Sequence, residues 1–105
     1  MPLRKAFLMQ LKPGSRPEYE RRHNPIWPEL AQLLRDHGIH NYSIFHDPRT
    51  NNLFAYVEIE SEERWNLIAS DPVCRRWWSY MQELMETNED ASPATLPLDE
   101  VFHLE

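Results

Sequence analysis

Apolar residues alternate with polar ones in four segments of the chain, which is the period of a half-buried strand. The predicted strands are residues 5–12, 39–46, 53–59 and 98–104. A short polar loop, 47–52, separates the second from the third, so these two strands are expected to form a hairpin. Both faces of the strands carry apolar side chains: Leu53 and Val57 lie on one face, and Phe54 and Tyr56 on the other.

Between the strands, apolar residues recur every three or four positions, as they do along one face of a helix. Ser15 and Glu18 have the pattern of a capping box, which predicts that a helix begins at the serine. Pro25 and Pro28 interrupt that helix, because proline lacks an amide hydrogen and disfavours a helical conformation at the residue before it. A second helical segment follows Pro28 and is expected to end at Gly38.

A later helical region is predicted after Ser61, and it restarts after Asp71, because both residues are good N-caps. Residues 87–97 are polar and contain prolines, so they are expected to form a loop. The resulting order is strand, helix, two strands, helix, strand, which is the βαββαβ arrangement of the α+β ferredoxin-like fold. A length of 105 residues suits a single domain, 1–105.

A ferredoxin-like fold places its helices on one face of an antiparallel sheet. The apolar residues on the other face then need a second cover, and the pattern predicts no further helix to provide it. Two sheets packed face to face in a homodimer, the dimeric α/β-barrel type, are the simplest symmetric arrangement. We therefore expect the chain to form a homodimer.

Charge and composition narrow the range of partners. The formal net charge of −6 argues against nucleic acid, because phosphate binding needs a basic surface. No apolar run is long enough to span a membrane, and the apolar start of the chain is interrupted at Gln10, too early for a signal peptide. The single cysteine, Cys74, cannot form an internal disulfide, so a cytoplasmic location is expected. Its neighbours Arg75 and Arg76 could lower its pKa, but a packed thiol is favoured.

The most informative candidate site lies just before the first proline. Tyr19 and His23 are four residues apart and therefore share one helix face. An imidazole titrates near neutral pH, so His23 is a candidate acid/base group. The alternative is an ordinary surface histidine on a helix, and the residues alone leave both interpretations open.

Aromatic residues supply further candidates. Trp77 and Trp78 could form a wall that stacks on a sugar ring, or Trp77 could simply belong to the core. Tyr42, on the second strand, could donate to a ligand oxygen or fill the core. His37 and His40 lack the third ligand that a metal ion needs, so no metal site is expected.

Long runs of the chain resemble the L-rhamnose mutarotase family. The matching stretches are residues 19–30 (YERRHNPIWPEL) and 57–66 (VEIESEERWN), His37-Gly38, Asn41-Tyr42, and Cys74 with Arg76-Trp77-Trp78. The resemblance extends from Arg4 to Phe102. It implies a dimeric ferredoxin-like isomerase that interconverts the α and β anomers of L-rhamnose without a cofactor or a metal ion.

The resemblance also implies roles for individual residues. The proton donor of the family matches His23, and its sugar-binding positions match Tyr19, Tyr42, Trp77 and Trp78. We expect the proline break to end the helix just past His23, so that the imidazole faces a cleft closed by the two tryptophans. Trp27, inside the same run, is expected to pack against other residues. Two other functions stay open: a cofactor-free monooxygenase-type or haem-degrading enzyme of the same dimeric fold, and a non-catalytic sugar-binding module.

Overall fold

The architecture is a four-stranded antiparallel sheet with helices on one of its faces. In a computed structural model that describes residues 2–105, the strands are β1 (Leu3–Gln10), β2 (Ile39–Asp47), β3 (Asn52–Ile59) and β4 (Leu96–Leu98). The helices are α1 (Arg16–His23), α2 (Pro28–Asp36), α3 (Glu62–Ile68) and α4 (Pro72–Met81), and a 3₁₀ turn, Gln82–Leu84, follows α4. The strand order β2-β3-β1-β4 is that of the ferredoxin-like fold, so the predicted fold class is confirmed.

The core lies between the sheet and the helices. Alternate residues of β1 and β3 face the helices, where Phe7 pairs across the strands with Ala55 and Met9 with Leu53. The residues contributed by the helices include Leu30, Leu33, Cys74, Trp77 and Met81. Burying a large aliphatic or aromatic side chain stabilises the fold by about 1.5–3 kcal/mol, so this layer holds the helices against the sheet.

The opposite face of the sheet is open within the protomer. Phe45 and Leu96 are 67% and 65% exposed, and Phe54 and Leu98 are both 40% exposed. The prediction of apolar residues on both strand faces is therefore confirmed. None of the helices in the described residues 2–105 is long and apolar enough to cross a membrane.

The helix starts confirm two of the predicted caps and correct a third. The Ser61 hydroxyl accepts from an amide in the first turn of α3, and the Asp71 carboxylate does the same for α4. The capping box at Ser15 and Glu18 is wrong. Ser15 has a near-helical backbone (φ −91°, ψ −6°), and its hydroxyl accepts no cap hydrogen bond. The Glu18 carboxylate instead accepts from Arg21 and Arg22, whose charged donors are stronger than a backbone amide.

The strand ends also differ from the prediction. β1 begins and ends two residues earlier than expected, and β4 covers Leu96–Leu98 instead of residues 98–104. β4 pairs with β1 alone among the described strands, and beyond Leu98 the chain is irregular. Val101 and Phe102 are 94% and 77% exposed there, so the alternation that predicted a strand does not reflect burial within the protomer.

Candidate active site

The candidate site begins at the last turn of α1. The helix ends at His23, and Asn24 leaves the helical region (φ −135°, ψ 88°) just before Pro25. This is the break that the prolines predicted. The rings of Tyr19 and His23 lie one helical turn apart, with centroids separated by 4.4 Å.

The hydrogen bond of the imidazole determines which nitrogen faces the ligand. His23 Nδ1 lies 2.8 Å from the carbonyl oxygen of Tyr19. A carbonyl oxygen only accepts, so Nδ1 must carry the hydrogen and donate it. The neutral ring therefore keeps its lone pair on Nε2, which has no hydrogen-bond partner among residues 2–105.

Burial sets the charge state of this ring. Desolvation lowers the pKa of His23 from its ordinary value of 6.5, and the bond to the Tyr19 carbonyl, which favours the protonated ring, offsets only part of that shift. The neutral imidazole therefore predominates at pH 7. In this state Nε2 is a proton acceptor, and it becomes a donor after taking up one proton.

A cluster of aromatic rings packs against the imidazole of His23. The rings of His23 and Trp77 form a T-shaped pair, with 5.1 Å between centroids and 89° between planes. Trp27 packs edge-on against Trp77 and stacks on Tyr80 at 5.4 Å. Trp27 is partly buried against the core, which confirms that it is a packing residue.

Tyr42 reaches the same cleft from β2. The pairing of β2 with β3 shifts between His40 and Ser43, so β2 contains a bulge there. The Tyr42 ring lies 6.1 Å from the ring of Trp65 on α3. Desolvation raises the pKa of the Tyr42 phenol, and it does the same for Tyr19. Both phenols therefore stay protonated and can donate hydrogen bonds.

These side chains line one cleft of about 1360 Å³. All five residues that the family resemblance assigned to the site contribute to its wall: Tyr19, His23, Tyr42, Trp77 and Trp78. Its volume exceeds the ~300–1,000 Å³ of most small-molecule pockets, because the cleft continues past the site to β4. Its wall combines flat apolar rings with a few polar groups, and this combination suits a monosaccharide.

Two residues that the sequence did not single out lie in the wall of the cleft or next to it. Trp65 lines the cleft and contacts Tyr42, and its signal was only one aromatic residue in a short helix. Arg22 is next to His23, and its side chain is 9% exposed because it reaches over to the end of α4. Nothing in the sequence distinguishes Arg22 from its neighbour Arg21, since the difference lies in a contact between residues 58 positions apart.

Of the remaining candidates, His40 and Cys74 also line the cleft, whereas His37 does not line it among the described residues. His37 Nδ1 bonds to the Leu33 carbonyl, and His40 contacts Glu60. No group of three metal-binding side chains occurs among the described residues. Cys74 is buried, and desolvation raises its pKa to about 11, so the packing interpretation of this thiol is confirmed and the lowered pKa is wrong.

Comparison with known proteins gives one consistent result. A model of the L-rhamnose mutarotase family matches residues 4–104. The L-rhamnose mutarotases of Tolumonas auensis and Escherichia coli O8 are 58% and 60% identical over 102 residues, which cover 97% of this chain and 98% of each relative.

Solved structures agree with this result. The crystal structure of an L-rhamnose mutarotase from Formosa agariphila superposes with a TM-score of 0.91 at 42% identity, and covers 98% of this chain and 99% of that one. A protein from Mycobacterium tuberculosis, 12% identical with a TM-score of 0.59 over the whole of both chains, shows the same fold only.

Proposed function

Because the chain belongs to the L-rhamnose mutarotase family, we propose that the cleft beside α1 interconverts the α and β anomers of L-rhamnose, with His23 as the group that carries the proton. The protein is an isomerase that acts on L-rhamnose. The observation that carries the assignment of His23 is its hydrogen bond to the Tyr19 carbonyl, which leaves Nε2 as the open nitrogen in the cleft.

The chemistry needs one proton carrier. In ring opening, Nε2 of the neutral imidazole accepts the proton of the anomeric hydroxyl and the bond from C1 to the ring oxygen breaks. The electron pair of that bond goes to the ring oxygen, which takes the proton back from the imidazolium. Rotation about the C1–C2 bond presents the other face of the aldehyde, and the same steps in reverse close the ring. The cycle consumes no proton, oxidant or reductant.

The surrounding side chains hold the sugar in place. The Tyr19 and Tyr42 hydroxyls make no hydrogen bond to other residues in 2–105, so both are available for sugar oxygens. Trp77 and Trp78 offer apolar surface to the ring hydrogens and to the 6-methyl group of a deoxysugar. An apolar wall discriminates against a hydroxymethyl group at that position, because a buried hydroxyl without a partner is costly.

Exchange NMR of the anomeric protons of L-rhamnose tests the role of His23, and the chain offers a matched control. In His23→Asn the amide can still donate to the Tyr19 carbonyl, but it cannot accept and release a proton. We expect the catalysed exchange rate to fall by about 10²–10⁴-fold. His37 makes the same bond to a carbonyl four residues earlier, at 2.9 Å, but does not line the cleft among the described residues, so His37→Asn should retain full activity.

Two results would contradict this assignment. Full exchange activity in a folded His23→Asn variant would remove the residue from the mechanism. If the unmodified protein left the exchange rate at its uncatalysed value while L-rhamnose still changed its tryptophan fluorescence, the chain would be a sugar-binding module.

The proposal includes a homodimer built on the open face of the sheet. Phe45, Phe54, Leu96 and Leu98 expose apolar surface on that face, and a second copy supplies a matching apolar sheet. Light scattering should give twice the chain mass, and Phe45→Glu should shift the protein toward monomer. A monomeric unmodified protein would exclude this arrangement.

Two broader assignments belong to the same proposal. Residues 1–105 act as one domain, since a single cluster of buried residues joins β1, β3 and the helices. The protein works in the cytoplasm, which is supported by the lone buried thiol. Fractionation of cells that express a tagged copy tests the location.

A further inference from the structure

The bulge in β2 determines where Tyr42 points. Asn41 and Tyr42 together face one residue of β3, and Asn41 has a φ of +47°. Ile39 faces the helices, so strict alternation from there would turn Tyr42 to the open face of the sheet. The extra residue shifts the alternation by one position, and Tyr42 enters the cleft instead.

A carboxylate on the open face joins the two strands at this bulge. Asn41 Nδ2 donates to Glu58 Oε1 at 2.9 Å, and the Tyr56 hydroxyl donates to Glu58 Oε2 at 2.9 Å. Each carboxylate oxygen of Glu58 therefore accepts one hydrogen bond, one from a residue of β2 and the other from a residue of β3. The bond from Asn41, followed by that from Tyr56, lowers the pKa of Glu58, so the carboxylate is ionised at neutral pH and both bonds are charge-assisted.

We propose that Glu58 is a positioning residue for Tyr42: it holds Asn41 in the left-handed conformation that sustains the bulge, and so keeps the Tyr42 side chain in the cleft. The inference rests on the proposed role of Tyr42 in sugar binding. Glu58 itself lies on the face of the sheet opposite the site, so within the protomer it acts only through the backbone of β2.

The backbone at Asn41 needs such a support. A residue with a side chain is disfavoured at positive φ, and asparagine is penalised less than most others. The competing register without a bulge restores regular pairing and moves Tyr42 to the other face. The bond from Asn41 to Glu58 is made on the open face, and it favours the bulged register over the regular one.

The test is a double-mutant cycle between Glu58→Ala and Tyr42→Ala, measured as kcat/KM for L-rhamnose exchange. Each single change should lower kcat/KM by roughly 10–100-fold, since small displacements of positioning groups have effects of this size. In the Tyr42→Ala background, Glu58→Ala should cause no further loss, because no side chain remains to be positioned. Glu58→Gln, which keeps an acceptor for Asn41, should recover most of the activity.

Control variants separate this role from a general loss of structure. Glu100→Ala removes a different carboxylate, which is ion-paired with Arg4 at 2.7 Å, and should leave kcat/KM unchanged. Glycine accepts positive φ and valine does not, so Asn41→Gly should be at least 10-fold more active than Asn41→Val. This pair also keeps the test valid if Glu58→Ala fails to fold.

The outcomes distinguish this inference from the function on which it rests. Loss of activity in Tyr42→Ala with full activity in Glu58→Ala overturns the positioning role and leaves the proposed site intact. An equal loss from Glu58→Ala in both backgrounds also overturns it, because the effect would then not pass through Tyr42. Full activity in Tyr42→Ala would overturn both the sugar-binding role of this tyrosine and the inference.

Discussion

Arg22 connects the helix that carries His23 to the end of α4, and Arg22→Met should weaken that connection. Its Nε donates to Glu18 at 2.7 Å, and its Nη2 donates to Glu83 at 2.5 Å. Its Nη1 donates to the Tyr80 carbonyl at 2.5 Å, and the guanidinium lies 4.2 Å from the centre of the Tyr80 ring. Methionine keeps an unbranched apolar stem and removes all of these polar contacts.

The size of the effect follows from the exposure of each partner. Glu83 is 67% exposed, so that ion pair contributes only about 0–1 kcal/mol. A hydrogen bond from a charged donor to the Tyr80 carbonyl contributes about 1.5–3 kcal/mol, and the contact with the ring about 0.5–1 kcal/mol. Contributions that share one side chain do not add fully, so we expect the free energy of unfolding to fall by about 2–3 kcal/mol. For a domain of this size the Tm should fall by roughly 10–20 °C.

Arg21 provides the matched control. It contacts the same Glu18, but its side chain is 66% exposed, so Arg21→Met should lower the free energy of unfolding much less than Arg22→Met does. Urea unfolding followed by the fluorescence of the four tryptophans measures both variants, at one protomer concentration because a dimer would make stability depend on it. At temperatures where both are folded, Arg22→Met should also lower kcat about 10-fold through displacement of His23.

One result would refute this reasoning. If Arg22→Met and Arg21→Met lost the same stability, the contacts of the Arg22 side chain, which is 9% exposed, would make no net contribution beyond that of an exposed ion pair. Arg22→Lys should fall between the two, because an ammonium group cannot donate to several acceptors in the planar arrangement of a guanidinium.

Two further predictions concern pH and helix capping. Because burial lowers the pKa of His23 from 6.5, the accepting form predominates at pH 7, and kcat/KM should fall at lower pH with a midpoint below 6.5. Exchange NMR across this range, with the uncatalysed rate subtracted, would contradict the assignment if the midpoint lay above 6.5. Ser61→Ala should lower the free energy of unfolding in urea by about 1 kcal/mol, because it removes the acceptor of the cap bond from the Arg64 amide at 3.1 Å. Ser15→Ala should change it little, because the Ser15 hydroxyl makes no cap bond, and equal losses in the two variants would show that the hydroxyl at Ser61 does not stabilise α3.

The order of elements was predictable because it follows from local patterns. The strand over 53–59 is visible in the alternation of its own residues. The helix starts at Ser61 and Asp71 depend on cap hydrogen bonds to amides only a few residues away. The failures arise where a local pattern has two possible causes. The alternation after Leu98 predicted a strand, yet alternating apolar residues are equally compatible with an exposed segment when nothing in the protomer covers them.

The candidate site was predictable only in part, for the same reason. Tyr19 and His23 share a helix face by spacing alone, and the proline break after them is local as well. The bulge at Asn41 is not a local feature, because the Asn41 side chain bonds to Glu58, which lies seventeen residues away on another strand. Identifying Tyr42 as a site residue therefore depended on the resemblance to a known family, and the structure supplies the physical reason why it faces the cleft.

The hydrogen bond from His23 to the Tyr19 carbonyl also sets the order in which the proposed proton carrier accepts and donates a proton. The Tyr19 carbonyl holds the hydrogen on Nδ1, and burial keeps the ring neutral, so the resting imidazole can only accept at Nε2. In the proposed mechanism it donates only after it has taken a proton from the sugar. Both oxygens that exchange protons in this reaction are bonded to C1, so one nitrogen within reach of C1 can serve both. The donor in ring opening is then the acceptor in ring closure, as a reversible interconversion of two anomers requires.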